Sequence, residues 1–383
     1  VTDRTERIHL DGGAPGTARE IVVHRYGTPG GRPKAYLQAA LHADEIPGLL
    51  VLHHLVPMLD AADAAGQVKG EVVVVPYANP IDLDQFLNGR HSGRVELASG
   101  GNFNRNWPNL AAGLADAVAG QLGDDATANV TTVRTALLEK AAALPVVTEL
   151  QSLQRALLGL AIDADMVLDL HCDTGEALVH LFTLEELAAD LAGLAAELGA
   201  EAVLLGELGG GPFDETCSTP WRRLREACPD RPIPMACASV TVELRGQGDV
   251  SDALARADAQ ALFRTLQRSG VIAGDPRPLP APRCEARHLN TCEVLRAPVT
   301  GVLAYAVALG DAVTAGDVVA WLVDPAAADP EHGRYPMQAG TDGVVMAINL
   351  MKYAMAGWSI AKIAGSTPLA HGHLGEGEAS HPE

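Results

Sequence analysis

Glu71-Val72-Val73-Val74-Val75 is an acid followed by an unbroken run of β-branched residues. A strand with one wet face alternates apolar and polar side chains, whereas a continuous run is typical of a strand buried on both faces. Working outward, the same texture recurs. Met166–Leu170 closes at His171, Ala238–Leu244 carries Glu243, and Ile21–Arg25 and Ala35–Ala40 read as strands, the second running on into Leu41-His42. Between them lie helical patterns: Pro47 to Leu59, with Pro near the first turn, and alanine-rich stretches over Leu110–Ala119, Val130–Ala143, Gln151–Leu160, Leu184–Leu198 and Val250–Gln267. Strand and helix in alternation predict an α/β sheet with helices on both faces. In such folds ligands gather beyond the carboxyl ends of the strands, where His42, His171 and Glu243 fall.

A Pro-rich passage, Gly274 to Arg283, reads as a linker. Beyond it, short β-like runs are broken by turn phrases such as Ala308-Leu309-Gly310-Asp311 and Ala315-Gly316-Asp317. The expected organisation is a catalytic domain over 1–275, a small all-β domain over 284–365, and a disordered tail over 366–383 rich in Gly, His and Glu.

The 383 residues are 48% hydrophobic and 20% charged, enough to bury a real core. No run reaches the ~18 apolar residues that span a bilayer, so no membrane role is expected. The formal charge of −20 repels phosphate backbones and argues against nucleic acid as a partner. Val1 to Asp11 is polar, with no apolar signal core, which predicts a cytoplasmic location. The six cysteines contain no CxxC pair and read as reduced thiols. Cys172 follows His171, but thiolate catalysis needs a paired base, and a small buried strand-end residue is the preferred reading.

Four elements carry chemistry. His42-Ala43-Asp44-Glu45 sets an imidazole and a carboxylate three apart where a strand turns into a helix, able to converge on one cation; a helix-capping acid beside an incidental His is the alternative. Asp169-Leu170-His171 ends an apolar strand in a second histidine, with an acid two residues earlier that could hold its other ring nitrogen. Glu243 lies within an apolar strand, so it is either the partner of a buried cation such as Arg245 or a general base of raised pKa. Gly101-Asn102-Phe103-Asn104-Arg105-Asn106-Trp107-Pro108, preceded by Arg90 and Arg94, offers an Arg fork beside Asn amides, suited to a carboxylate, and a second Arg to polarise a carbonyl.

These motifs, HADE at 42–45, FNRNW at 103–107, DLH at 169–171 and TVELRG at 241–246, resemble in order and spacing the zinc carboxypeptidase-like enzymes. The resemblance is closest to the succinylglutamate desuccinylase/aspartoacylase branch, covers roughly Arg25 to Arg268, and extends to the C-terminal β module. It implies a mixed sheet flanked by helices plus a barrel-sandwich-like domain. It further implies one zinc ion per chain on His42, Glu45 and His171, with Glu243 as general base. Asn104 and Arg105 would grip a substrate carboxylate, Arg94 would polarise the scissile carbonyl, and the substrate would be a small N-acyl amino acid. The branch often forms dimers or higher assemblies. One departure stands out: the aspartoacylase pattern has DLNR where this chain has Asn102-Phe103-Asn104-Arg105, so the acid is missing. No tyrosine lies between Tyr77 and Tyr305, which favours an acyl-amino-acid hydrolase over a peptidase and leaves Tyr305, Tyr335 and Tyr353 as unranked candidates for the site.

Two readings compete. Ala297-Pro298-Val299-Thr300-Gly301 and the Gly-Asp turns resemble a biotinyl or lipoyl carrier, with Met351-Lys352 in place of its modified pair, but Lys352 comes too late after Gly316 for a carrier hairpin. A zinc-fold protein serving only as a binding module is the other. The presence of every proposed ligand and of Glu243 speaks against it.

Overall fold

The computed structural model describes residues 4–209, 211–329 and 332–374. Among these, nine strands make one mixed sheet: β1 (Thr5–His9), β2 (Glu20–Gly27), β3 (Lys34–Ala39), β4 (Glu71–Val75), β5 (Met166–Asp173), β6 (His180–Thr183), β7 (Ala202–Leu205), β8 (Ala238–Gly246) and β9 (Ala286–His288), in spatial order β1-β2-β4-β3-β5-β8-β6-β7-β9. Its centre, β4-β3-β5-β8, is parallel throughout. β6 joins β8 antiparallel, and β1-β2-β4 form an antiparallel flank.

The valine run of β4 behaves as its composition requires, with every residue buried. Successive side chains of a strand point to opposite faces, and here each face has its own cover. Val72 and Val74 join a core with α1 (Pro47–Ala64), α5 (Ala188–Leu198) and α7 (Asp252–Arg268). Val73 and Val75 join another with α2 (Leu114–Val118), α3 (Ala126–Ala142), α4 (Glu149–Ala161) and α6 (Phe213–Ala227). The layers are helix, sheet, helix.

The helices begin where their caps dictate. In α4, Thr148 and Gln151 form a reciprocal capping box, and Ser251 caps α7. In α1 a proline opens the first turn, and Gly48 follows because a Cβ there would lie 2.9 Å from the Ala39 Cβ. That close approach seats the start of α1 directly on the carboxyl ends of β3 and β5. The sequence pattern misplaces two elements. The helix expected over 110–119 is confined to Leu114–Val118, and α6 was not anticipated at all.

Beyond the linker the chain first returns to the large sheet, as β9 pairs in parallel with β7. It then builds two small antiparallel sheets around a shared core that includes Leu303, Val319, Leu322, Val345, Ile360 and Ile363. Both Gly-Asp phrases are tight turns: Gly310 and Gly316 have positive φ, and Asp311 and Asp317 accept backbone N–H bonds from Ala308 and Thr314, each at 2.8 Å. One β-module strand, Gly343–Ile348, also pairs with Glu176-Ala177 from the part of the chain that builds the large sheet. Of the expected tail, residues 366–374 pack against the β module, with Leu374 buried and its N–H bonded to the Cys292 carbonyl at 2.8 Å; residues 375–383 lie outside the described residues. No helix among the described residues is long and apolar enough to cross a membrane.

Candidate metal centre

The chain leaves β3 through Ala40, which takes a left-handed φ of 56°, and turns sharply into His42–Glu45 before α1 begins. Side chains pin this turn: Asn79 donates to the Leu41 carbonyl and Asp82 accepts from the Ala43 N–H, both at 2.8 Å. His171 arrives from β5, and its register partner on β8 is Glu243. Three strand ends therefore deliver His42, His171 and Glu243 to one edge of the sheet.

His42, Glu45 and His171 are all buried and bring ligand atoms within 4.8 Å of one another. The Glu45 carboxylate sits between the rings, one oxygen 2.8 Å from His42 Nδ1 and the other 2.7 Å from His171 Nδ1. The other ring nitrogens face outward, His42 Nε2 to Asn102 Oδ1 at 3.0 Å and His171 Nε2 to Asp169 Oδ2 at 3.0 Å. Asp169 is itself held by Gln38 Nε2 at 2.8 Å. A histidine whose Nε2–H is answered by an oxygen presents Nδ1 as a bare lone pair. Two such nitrogens and a carboxylate oxygen make the N,N,O donor set that zinc takes in catalytic sites, leaving one position open. The residues fit the ion.

Electrostatics divide the two glutamates. Burial would raise the Glu45 pKa, but His42 and His171 overcome it and hold it well below the ordinary carboxylate range. Glu243 is pushed up to about 8, first by burial and then by the charge of Glu45. Its Oε2 has no hydrogen-bond partner among the described residues. Arg245, two residues on, does not answer it. The register of β8 shifts between Glu243 and Gly246, Arg245 adopts a φ of 67°, and its guanidinium turns to α7 to form two bonds with Asp258, at 2.8 and 2.9 Å.

Comparison with known proteins gives the family. Residues 31–269, more than half the chain, match the family model described as succinylglutamate desuccinylase/aspartoacylase catalytic domain. The chain belongs to the succinylglutamate desuccinylase/aspartoacylase family. Among solved structures, a protein of this family from Shewanella amazonensis SB2B is 25% identical with a TM-score of 0.82, covering 94% of this chain and 98% of its own. Another, from Shewanella frigidimarina NCIMB 400, is 24% identical with a TM-score of 0.82 over 96% of this chain and 98% of its own. The ectoine utilization protein EutE (DoeB) from Ruegeria pomeroyi, in its product-bound structure, shares the fold at 19% identity and a TM-score of 0.64, over 96% of this chain and 100% of its own. No curated protein matches the chain. Named for a desuccinylase and an aspartoacylase, the family is one of deacylating hydrolases.

Within this desuccinylase/aspartoacylase frame, Arg94 and Asn104 reach the His42–Glu45–His171 cluster. Arg94 reaches Glu45 Oε1 at 3.3 Å. Asn104 is buried, its Nδ2 3.5 Å from His171 Nε2 and its Oδ1 taken by the Phe213 N–H at 2.8 Å. Arg105 curls back to the Asn104 carbonyl at 2.9 Å. Cys172 is fully buried and gives its backbone N–H to Glu45 Oε2 at 3.2 Å; burial pushes its thiol far up, the opposite of an activated nucleophile. Tyr305 is engaged inside the β module, accepting from the Asn349 N–H at 2.8 Å and donating to the Ile360 carbonyl, while Tyr335 and Tyr353 are about half exposed. Lys352 folds onto the Tyr305 ring and the Asn349 carbonyl. A cleft of about 420 Å³ opens between the catalytic part and the β module, and Asp44, Asp173, Gln247, Arg90, Trp358 and Lys362 are among its walls. Lys362 pairs with Asp173 across the junction at 2.8 Å. Asn102, which stands where the motif at 102–105 lacks its acid, also contacts His42.

Proposed function

We propose that this chain is a zinc-dependent amidohydrolase that removes the acyl group from a small, carboxylate-bearing N-acyl amino acid. The observation that carries this is the pairing of a convergent His42–Glu45–His171 donor set with Glu243, a half-buried acid on the neighbouring strand whose Oε2 is buried without a hydrogen-bond partner among the described residues. A buried carboxylate oxygen without a partner costs stability, and a fold kept only for binding would have no reason to retain one there.

Zinc, when bound, would polarise the amide carbonyl and lower the pKa of a water at its open position. Glu243 is the group that would take a proton from the attacking water and return it to the leaving amine. Arg94, beside Glu45, is placed to steady negative charge on the carbonyl oxygen. Asn104 holds the wall beside His171, and Arg105 would grip the substrate carboxylate.

The test is Glu243→Gln, read by metal analysis and by hydrolysis of a panel of N-acetyl and N-succinyl amino acids. About one zinc per chain should remain, while turnover should fall by roughly 10²- to 10⁴-fold. Undiminished turnover would remove Glu243 from the mechanism.

A further inference from the structure

The two histidines of the metal centre are backed differently. His171 Nε2 faces a carboxylate, Asp169, which is wholly buried and held in turn by Gln38. His42 Nε2 faces a neutral amide, Asn102 Oδ1, at 3.0 Å. The orientation of that amide follows from a neighbour. The same Oδ1 lies 2.8 Å from the Asn104 backbone N–H, a group that can only donate, so the oxygen and not the nitrogen must point there. An oxygen can only accept from His42, so Nε2 carries the proton and Nδ1 is left bare toward Glu45. The backbone of Asn102 is fixed as well, by a bridge to Val95.

We propose that Asn102 is a positioning residue of the metal centre. Its one amide oxygen sets the tautomer of His42 and ties that ligand to the Asn104-Arg105 loop, and its neutrality makes the site hold its cation less tightly than a carboxylate there would. The proposal rests on His42 being a metal ligand. Its physical basis is that a charged acceptor strengthens the hydrogen bond and makes the imidazole a better donor to the metal, whereas an amide does so weakly. Asp would occupy the same space, with an oxygen able to accept from both His42 Nε2 and Asn104 N–H. Leu would approximate the volume and accept from neither.

The experiment measures zinc affinity of the full chain by competition with a chromophoric chelator, for wild type, Asn102→Asp and Asn102→Leu. Cobalt(II) spectra of the same proteins report ligand geometry. Outer partners of metal-bound histidines typically change metal affinity by about 10- to 100-fold. Asn102→Asp should therefore bind zinc tighter by that order and keep the wild-type cobalt spectrum, and Asn102→Leu should bind weaker and alter it. A residue that merely supports the loop would not shift affinity in opposite directions in the two variants. Wild-type affinity in both variants, with zinc bound, would overturn the proposal and leave the metal centre standing. A wild type that takes up neither zinc nor cobalt would overturn the metal centre itself, and the proposal with it.

Discussion

Glu45 and Glu243 are the same residue type at one edge of one sheet, the first buried and the second half-buried, and their surroundings drive them apart. Glu45 lies between the two imidazoles, accepts from Arg94 and from the Cys172 N–H, and is held well below the ordinary carboxylate range. Glu243 has an unanswered oxygen and is pushed toward its protonated form, partly by the charge of Glu45 itself. Two carboxylates whose environments separate their pKa values mark a division of labour. The first suits a permanent ligand and the second a group that takes and returns a proton. The difference lies in what faces each acid, which makes it open to mutation.

The largest effect is expected where the answered acid is removed. Glu45→Gln keeps shape but deletes the anion between the two Nδ1 atoms. Zinc affinity should fall by more than the ~100-fold that outer partners cost, and turnover should disappear with it. Equilibrium dialysis against zinc checks this, and a variant that still binds zinc like wild type would show that Glu45 is a structural ion-pair partner only.

How far this contrast can be read from sequence differs between the two acids. The strands were legible because valine runs and apolar segments ending in His171 or containing Glu243 leave few alternatives to a buried parallel sheet. The nearness of His42 and His171 was legible for the same reason, since strand ends in such a sheet share an edge. The isolation of Glu243 was not. A regular strand would have put Arg245 on its face, and what prevents this is a left-handed residue, a register shift and Asp258, thirteen residues further on in α7. Helix α6 was missed for a related reason. Phe213, Cys217 and Trp221 recur every four residues but sit among Asp, Glu, Arg and Pro220, and their burial depends on packing against distant residues such as Tyr36 and Trp107. The motif at 102–105 showed a missing acid, yet nothing local revealed that the amide in its place touches His42.

A second way to probe the contrast is to give Glu243 a partner. Asp258→Asn withdraws the anion that holds Arg245 on the α7 side. Breaking a largely buried pair by removing one member costs about 3 kcal/mol, which denaturant unfolding would register. The released guanidinium should also lower the Glu243 pKa, moving the acid limb of the activity profile to lower pH. Lost stability with an unmoved acid limb would mean that the strand irregularity alone keeps Arg245 away.

The smallest effect concerns the Glu45 side, compared with and without added zinc. Burial acts to lower the His171 pKa, but Asp169 and Glu45 outweigh it and hold it well above the ordinary imidazole value. A base raised in the folded state contributes stability that is fully present below its unfolded value, about 6.5, and is lost as pH rises through the folded one. With zinc on Nδ1 that titration is suppressed, because the lone pair is already used. Chelated protein should therefore lose melting temperature from about pH 6.5 upward while zinc-loaded protein holds steady. The gap between them should widen by a few degrees at roughly 2 °C per kcal/mol for a chain of this size. Parallel thermal melts of the two forms at about pH 6, 7.5 and 9 would measure it. A gap that stayed constant across that range would mean that the apo site keeps His171 neutral, and that Glu45 is held ionised by its other partners alone.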